Sequence, residues 1–439
     1  MSLAVAAKVV YASTTSTSFV LASRSLKKLA DLDIGPKRAE RLTQRAGEER
    51  CAERDQGVAA YRALPLVERK STPAGVTPPD LAVVGVDGGR LQILDRSMSS
   101  ASDSHTPGSG PPAEASAAGD ALETADADEA VADEQHRGKH WREDKIGLLM
   151  TMASEPSATD PCPKIPEGFV DPTRILKLTR ELKTKRSASG ADGLQEDTTE
   201  RTENAQPLAE DEPDYEPPEV KTKKMVATRQ SWKAFAPMVA LAAWSLGFFA
   251  AARRAFVGDG SSNNWTLWRT HFSSFEPILD FIHGLSYVFA AAMAGRTFAE
   301  GWPVYVAWIQ WAWSGEVEKV IAALAARQVK LGMPTKDEPE TSPRTVVATA
   351  LGYLQENKQR MRYAEYRKQG LPITSSHVES TVKQFNYRVK GTEKFWGEAG
   401  AEGILQLRGD ELSDGDEMAA YWKRKEDRST GQNRHRPAA

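Results

Sequence analysis

The chain has 439 residues, 40% of them hydrophobic, and a formal net charge of −3 at pH 7. This composition can build a sizeable core, and it excludes a protein that attracts nucleic acid through a global basic charge. The two cysteines, Cys51 and Cys162, lie far apart in the sequence. They provide neither a disulfide framework nor a zinc-binding spacing, which is typical of a reducing compartment.

Residues 1–77 are predicted to form an N-terminal helical region. Short helices are expected over Ser25–Asp33 and Pro36–Gly47, on either side of a glycine-containing turn, with Pro36 at a first helical position. Such a pair can bind DNA, but a helical hairpin packed against the core is the simpler interpretation. The first residues contain only a short apolar patch interrupted by Lys8, which argues against a signal peptide.

The stretch Leu81–Leu94 begins with an apolar run that ends on Asp87 and continues into two glycines and Arg90. The run predicts a buried strand. A carboxylate at the end of such a strand is costly to bury unless it is paired, hydrogen-bonded or bound to a metal. Asp87 is therefore a candidate ligand of a divalent cation. Lys145–Met152 predicts the second strand of a hairpin.

Polar segments divide the ordered part of the chain. Residues 97–138 are predicted to be a disordered acidic insert, 183–224 a disordered linker and 426–439 a disordered tail. The hairpin can close across the first insert because loop-closure entropy grows slowly with loop length. Residues 78–96 and 139–182 are assigned to the first part of the core.

Residues 225–284 are assigned to the second part of the core. The elements expected there are a helix over Ser231–Arg254, a strand over Arg254–Val257 and a helix over Pro277–Ala294. The short strand ends at Asp259, and the second helix carries Asp280 and His283. The first helix includes 19 uncharged residues, Ala234–Ala252, near the length that spans a bilayer. A buried alanine-rich helix explains them better, so no membrane contact is predicted.

Residues 285–370 predict a helical insertion, and 371–425 the C-terminal part of the core. The helices expected there cover Gly315–Leu331, Pro343–Arg362 and the stretch from Ser375 or Ser376 to about Val389. The tryptophans of the insertion are expected in the core. Glu379 falls in the first turn or so of the last helix.

Two strand-end aspartates, Asp87 and Asp259, and the helix-borne Glu379 can converge at one edge of a sheet. Clustered carboxylates repel one another and need cations, and Mg²⁺ prefers such oxygen ligands. Each residue alone is weak evidence, because a strand-end Asp before Gly is more often a turn residue and a Glu in a first helical turn is more often exposed.

Several segments resemble the DDE transposases of bacterial insertion sequences, in the Mutator-like branch that includes the Kra-type elements. The matching segments, in order, are VVGVDGGRLQI, HWREDKIGLLMTM, RAFVGDGSSNNW, PILDFIHGLSYV, RYAEYRKQGLPITSSHVESTVKQFNYRVKGTEKFW and GAEGILQLRGDELS. They cover nearly all of the predicted ordered chain from about residue 78 to 425. The resemblance implies an α/β fold, with a ribonuclease-H-like core and an all-helical insertion between the second and third acids.

The resemblance also implies a catalytic triad of Asp87, Asp259 and Glu379 that holds two Mg²⁺ ions, with Mn²⁺ as an alternative. Asp280 is a second candidate for the middle acid. We favour Asp259 because it follows a strand, whereas Asp280 and His283 resemble an accessory motif of the family. At a spacing of three residues these two share a helix face, where they either orient DNA or form a structural pair.

The region around the third acid is basic, and this charge suits phosphate contact. Tyr353–Phe395 holds nine Lys or Arg and four Asp or Glu, a net charge of 9 − 4 = +5. A solvated basic face is the alternative. The predicted DNA-binding residues are Arg90, Lys383, Arg388, Lys390 and Trp265.

The function implied by the resemblance is DNA transposition, by hydrolysis at the element ends followed by strand transfer into target DNA. A homodimer or larger assembly, in a bacterial cytoplasm and near the nucleoid, would join the two ends. Two alternatives stay open: a ribonuclease-H-like nuclease that does not join DNA, and an inactive remnant that only binds it.

Overall fold

The computed structural model describes residues 1–93, 141–190, 216–391 and 394–429, with residues 183–190 described in their backbone only. The predicted acidic insert, most of the predicted linker and the end of the predicted tail lie outside these ranges. The linker prediction was too long at both ends, because a helix continues to Gly190 and a strand begins at Glu219.

The described residues form a mixed α/β fold, as predicted, around one sheet. Its strands are β1 (Leu81–Ile93), β2 (Trp141–Ala153), β3 (Glu219–Thr228), β4 (Arg253–Gly258), β5 (Glu276–Leu279) and β6 (Phe395–Trp396). The order is β3-β2-β1-β4-β5, and β6 pairs with the end of β1. The neighbours β3, β2 and β1 are antiparallel, whereas β4, β5 and β6 continue the sheet in parallel.

The helices surround this sheet and extend away from it. They are α1 (Leu3–Thr15), α2 (Phe19–Ala30), α3 (Pro36–Ala63), α4 (Leu66–Arg69), α5 (Pro172–Gly190), α6 (Trp232–Ser245), α7 (Ser262–His271), α8 (Phe281–Met293), α9 (Phe298–Trp313), α10 (Val317–Leu331), α11 (Pro343–Asn357), α12 (Tyr363–Lys368), α13 (Ser376–Val389), α14 (Glu398–Leu412) and α15 (Glu417–Arg428). None of the helices within the described ranges combines the length and the apolar character needed to cross a bilayer.

The predicted hairpin is confirmed, and it places the centre of the sheet between two helical layers. Leu81–Val86 is buried throughout, as expected for a central strand covered on both faces. On one face, Gly147 of β2 lies against Phe235 and Val239 of α6. On the other face, α13 comes so close that a Cβ at Gly85 would lie 2.3 Å from Cγ2 of Val378.

The N-terminal helices pack on the C-terminal part of the chain. The helix predicted over Pro36–Gly47 is longer than expected, because α3 continues to Ala63. It crosses α14 so closely that a Cβ at Gly47 would lie 2.7 Å from Cα of Gly403. The structure therefore agrees with the simpler interpretation, a helical hairpin packed against the core.

Two further predicted helices, which begin in the second part of the core, were also wrong in their boundaries. The helix expected over Ser231–Arg254 ends at Ser245, because Gly247 adopts a φ of +69° and leads through a short 3₁₀ turn into β4. The helix expected over Pro277–Ala294 is strand β5 followed by α8. A four-residue strand has too little periodicity to be recognised before its partner strand is known.

The helical insertion is anchored to the loop after β2 by a buried arginine. Arg367 is fully buried, and its Nε lies 2.8 Å from Oδ1 of Asp160. Its guanidinium also stacks 4.1 Å from the ring centroid of Trp313. Trp308 and Trp313 are both buried, which confirms a core role for these two tryptophans.

Candidate active site

Three aspartates lie side by side at the carboxyl edge of the parallel strands. Asp87 and Asp259 each stand two residues beyond the last pair of the β1–β4 ladder, Gly85 and Val257. β1 itself continues to Ile93, so Asp87 lies within the strand, opposite Ile146 of β2, and its predicted place at a strand end was wrong. Asp280 follows β5 directly, and its backbone N–H donates to the carbonyl of Gly258 across 2.8 Å. Because parallel strands end at the same edge, the sheet brings together residues that are almost 200 positions apart in sequence.

Glu379 reaches this edge from the helix that covers it. It lies in the first turn of α13, directly after the Val378 side chain that fills the space over Gly85. One ligand atom from each of Asp280, His283 and Glu379 lies within 4.8 Å of the others. The structure thus brings the predicted third acid close to the predicted accessory pair.

Asp280 and His283 form a buried ion pair. The Nδ1 atom of His283 lies 2.6 Å from Oδ2 of Asp280, which has no exposed surface. Burial opposes the charged imidazole, but its hydrogen bond to Asp280 and the charges of Asp280, Asp259 and Asp87 raise the pKa of His283 to about 9. Burial likewise opposes the carboxylate, yet the His283 contact and Ser375 hold the pKa of Asp280 below its usual value.

Asp280 also has a positional role that the sequence did not predict. It is the N-cap of α8, and Oδ1 accepts hydrogen bonds from the backbone N–H groups of Ile282 and Ser375, at 3.3 and 3.0 Å. The pair therefore joins β5, α8 and the loop before α13. These contacts occupy both oxygens of Asp280, and they make it a support of the carboxylate cluster.

Asp259 is more accessible and has a different set of partners. Its Oδ1 accepts hydrogen bonds from Ser261 N–H at 2.9 Å and from the Asn264 side-chain amide at 2.8 Å. The Tyr353 hydroxyl donates to its backbone carbonyl across 2.7 Å, which ties the helical insertion to the strand end. Both side-chain contacts fall on one oxygen, so Asp259 fits a cation ligand better than Asp280 does.

The donor set fits a hard divalent cation. The charges of Asp87 and Asp259 act on His283, and Glu379 offers a ligand atom within 4.8 Å of the Asp280–His283 pair. Carboxylate oxygens are the ligands that Mg²⁺ and Mn²⁺ accept. By position, the residues that could hold a metal are Asp280, His283 and Glu379, whose ligand atoms lie within 4.8 Å of one another. The predicted ligands Asp87 and Asp259 lie beside this group, since their charges act on His283.

The predicted DNA-contact residues fall into two groups. Lys383 and Lys390 are exposed, and Arg90 is half-buried on β1. Trp265 is only 6% exposed, and its ring is covered by the guanidinium of Arg360 at 4.2 Å. This burial contradicts the predicted contact with a nucleotide, because the Arg360 side chain covers the ring face.

Arg388 was also predicted to contact DNA, and its burial contradicts this. It is 1% exposed, and its Nε donates to the carbonyl of Ser13 across 2.7 Å. Its guanidinium lies between the rings of Phe19 and Trp396, 4.7 and 4.9 Å from their centroids. Burial lowers the pKa of Arg388 to about 10. The sequence could have shown that Arg388 faces inward, because it lies three residues after the apolar Phe385 and so shares a helix face with it.

Sequence reasoning missed Asp144, a fully buried carboxylate on β2. It lies opposite Gly89, and neither of its oxygens has a hydrogen-bond donor on another described residue. Burial, with the charges of Glu143 and Asp87, raises the pKa of Asp144 to about 7. Asp144 alternates with Ile146 and Leu148, and this spacing predicts that it faces inward. The signal was missed because the predicted strand began only at Lys145.

In comparisons with known proteins, no protein-family model matches the chain, and no curated protein matches its sequence.

Proposed function

We propose that this chain is a DDE-type DNA transposase that carries out metal-dependent phosphodiester hydrolysis and strand transfer. The observation that supports this most is a cluster of acidic residues at one edge of the sheet. Glu379 lies within 4.8 Å of the Asp280–His283 pair, and the charges of Asp87 and Asp259 act on the same histidine. The sheet order β3-β2-β1-β4-β5, antiparallel on one side of β1 and parallel on the other, supports a ribonuclease-H-like core.

In this proposal, Asp87, Asp259 and Glu379 bind two Mg²⁺ or Mn²⁺ ions. Such ions activate an attacking oxygen and stabilise the leaving oxygen in phosphoryl transfer. The Asp280–His283 ion pair fixes the corner between β5 and α8 and places a positive charge among the carboxylates. Lys383 lies one helical turn after Glu379 and is exposed, so it can contact a substrate phosphate.

The test is Mg²⁺-dependent cleavage of DNA that carries the sequences flanking the gene. The full chain is compared with Asp87→Ala and with Asp337→Ala, a control at an exposed loop carboxylate. We expect Asp87→Ala to reduce cleavage by at least about 100-fold, while Asp337→Ala keeps the wild-type rate.

Equal cleavage by the wild type and Asp87→Ala would contradict the proposed centre. Joining of the cleaved end to a second DNA separates the two active alternatives. A product with a free 3′-OH that never joins target DNA would instead indicate a nuclease, and DNA binding without any cleavage would indicate an inactive remnant.

A further inference from the structure

Two exposed side chains follow the half-buried Glu379 along α13, away from the carboxylate cluster. Glu379, Lys383 and Tyr387 follow one another at intervals of four residues, so they share one side of the helix. Lys383 is exposed, and Tyr387 keeps 60% of its surface exposed. The opposite side of α13 is apolar and packs on the sheet, with Val378 and Phe385 buried.

This row of side chains continues beyond the end of the helix. Lys390 is exposed, and its Nζ lies 5.8 Å from the ring centroid of Trp141. Nζ of Lys394 donates to the backbone carbonyl of Tyr387 across 3.3 Å, so the chain folds back beside the tyrosine. Phe395, the next residue, is 45% exposed. Large aromatic side chains and lysines therefore alternate on a surface that begins at Glu379.

This combination fits a single nucleic-acid strand better than a duplex. The lysines can pair with backbone phosphates of either form. An exposed aromatic ring, however, stacks on the face of a base, and these faces are covered by neighbouring base pairs inside a duplex. The exposed ring of Tyr387 therefore indicates unpaired nucleotides.

We propose that the outer side of α13 binds an unpaired DNA strand that leaves the carboxylate cluster, with a base stacked on Tyr387 and phosphates on Lys383 and Lys390. This inference rests on the proposed function, because it takes DNA as the substrate. It goes beyond the proposed function by specifying that the DNA strand at the site is unpaired within a few nucleotides of the reacting phosphate.

The experiment measures binding of the full chain to two fluorescently labelled DNAs by anisotropy at one fixed salt concentration. One probe is an oligothymidylate of about 16 nucleotides and the other is a blunt duplex of the same length. We expect Tyr387→Ala to weaken binding of the single strand by about 5- to 100-fold and to leave duplex binding unchanged. Tyr387→Phe should restore the single-strand affinity, because it keeps the ring.

Two controls separate stacking from charge and from folding. Tyr11→Ala removes an equally exposed ring, 58% exposed on α1, and should change neither affinity. Lys383→Ala should weaken both probes and reduce the salt dependence of binding, as expected for a lost phosphate contact.

The inference is overturned if Tyr387→Ala binds the single strand like the wild type, or if it loses affinity for both probes equally. It is also overturned if the wild type binds neither probe. The cleavage assay with Asp87→Ala distinguishes this from failure of the proposed function. Retained Mg²⁺-dependent cleavage with unchanged Tyr387→Ala binding overturns the α13 inference alone, whereas absence of both binding and cleavage overturns both.

Discussion

Two aspartates are buried at different places in the same sheet, and their surroundings shift the pKa of the carboxyl group in opposite directions. At the end of β5, Asp280 has His283, Ile282 and Ser375 as hydrogen-bond partners, and its pKa lies below the usual value. In the β1–β2 hairpin, Asp144 has no donor on another described residue, and its pKa rises to about 7. Burial is complete in both cases, so the partners decide whether the carboxyl group is charged.

This difference indicates that the paired Asp280 stabilises the fold, whereas the unpaired Asp144 destabilises it at high pH. A paired buried carboxylate is strongly destabilised by loss of its partner, whereas an unpaired one is destabilised by its own charge. Three substitutions test this contrast, each measured as a free energy of unfolding in urea.

The largest effect is expected from His283→Ala, which leaves the Asp280 carboxylate buried without its cationic partner. We expect the chain to lose about 3–5 kcal/mol of stability at pH 6. The pKa of His283 is about 9 in the folded chain and about 6.5 in an unfolded one. The contribution of its charge is therefore complete below about pH 6.5 and is lost as the pH rises through 9.

The control for that substitution is His377→Ala, at an exposed histidine of α13, which should change stability by less than about 0.5 kcal/mol. A loss that is the same at pH 6 and pH 10 would show that the charge of His283 has no stabilising role.

The next effect has the opposite sign. Asp144→Asn removes an unpaired carboxylate, so we expect it to stabilise the chain at pH 8 by on the order of 2–4 kcal/mol. Between about pH 4 and pH 7 the folded chain holds a proton that the unfolded chain releases, so wild-type stability falls as the pH rises. The variant should lose this slope, and the exposed control Asp337→Asn should keep it. A variant that is less stable than the wild type at pH 8 would contradict the prediction.

The smallest effect is expected from Gly89→Ala, because the new Cβ would lie 2.9 Å from both Asp144 oxygens. We expect a loss of about 1–3 kcal/mol. In an Asp144→Ala background the same substitution should cost about 0.5 kcal/mol or less, since the contact is gone. The control, Gly352→Ala, meets no atom within 4 Å in α11 and should not destabilise the chain. An equal loss of stability in both backgrounds would show that the Asp144 carboxylate does not cause the steric clash at Gly89.

Much of the site could be predicted because it depends on local patterns. Asp87 and Asp259 follow apolar strands, and Glu379 follows a serine-rich helix start, so each position is visible in a short window of sequence. The fold confirms that Asp259 directly follows its strand and that Glu379 lies in a first helical turn. Asp87, by contrast, lies within β1, just past the point where β4 stops pairing with it. Their role as metal ligands stays a prediction.

Other features could not be predicted because their partners are distant in sequence. Asp280 was assigned to a helix, since β5 has only four residues and is defined by its pairing with β4. Arg388 was counted with the DNA-binding cations, yet its hydrogen-bond partner Ser13 is 375 positions away. The spacing from Phe385 could have shown that Arg388 faces inward, but nothing local shows which distant residues become its partners.

The amino-acid sequence by itself determined which residues form the central strands, where the acidic residues lie along them and where α13 begins. These properties follow from local hydrophobic patterns and helix-start signals. Only the tertiary structure decided that Asp280 is a paired N-cap, that Asp144 is buried without a donor and that Arg388 faces inward. The physical reason is that desolvation and hydrogen bonding depend on all neighbours in space, and here those neighbours come from distant parts of the chain.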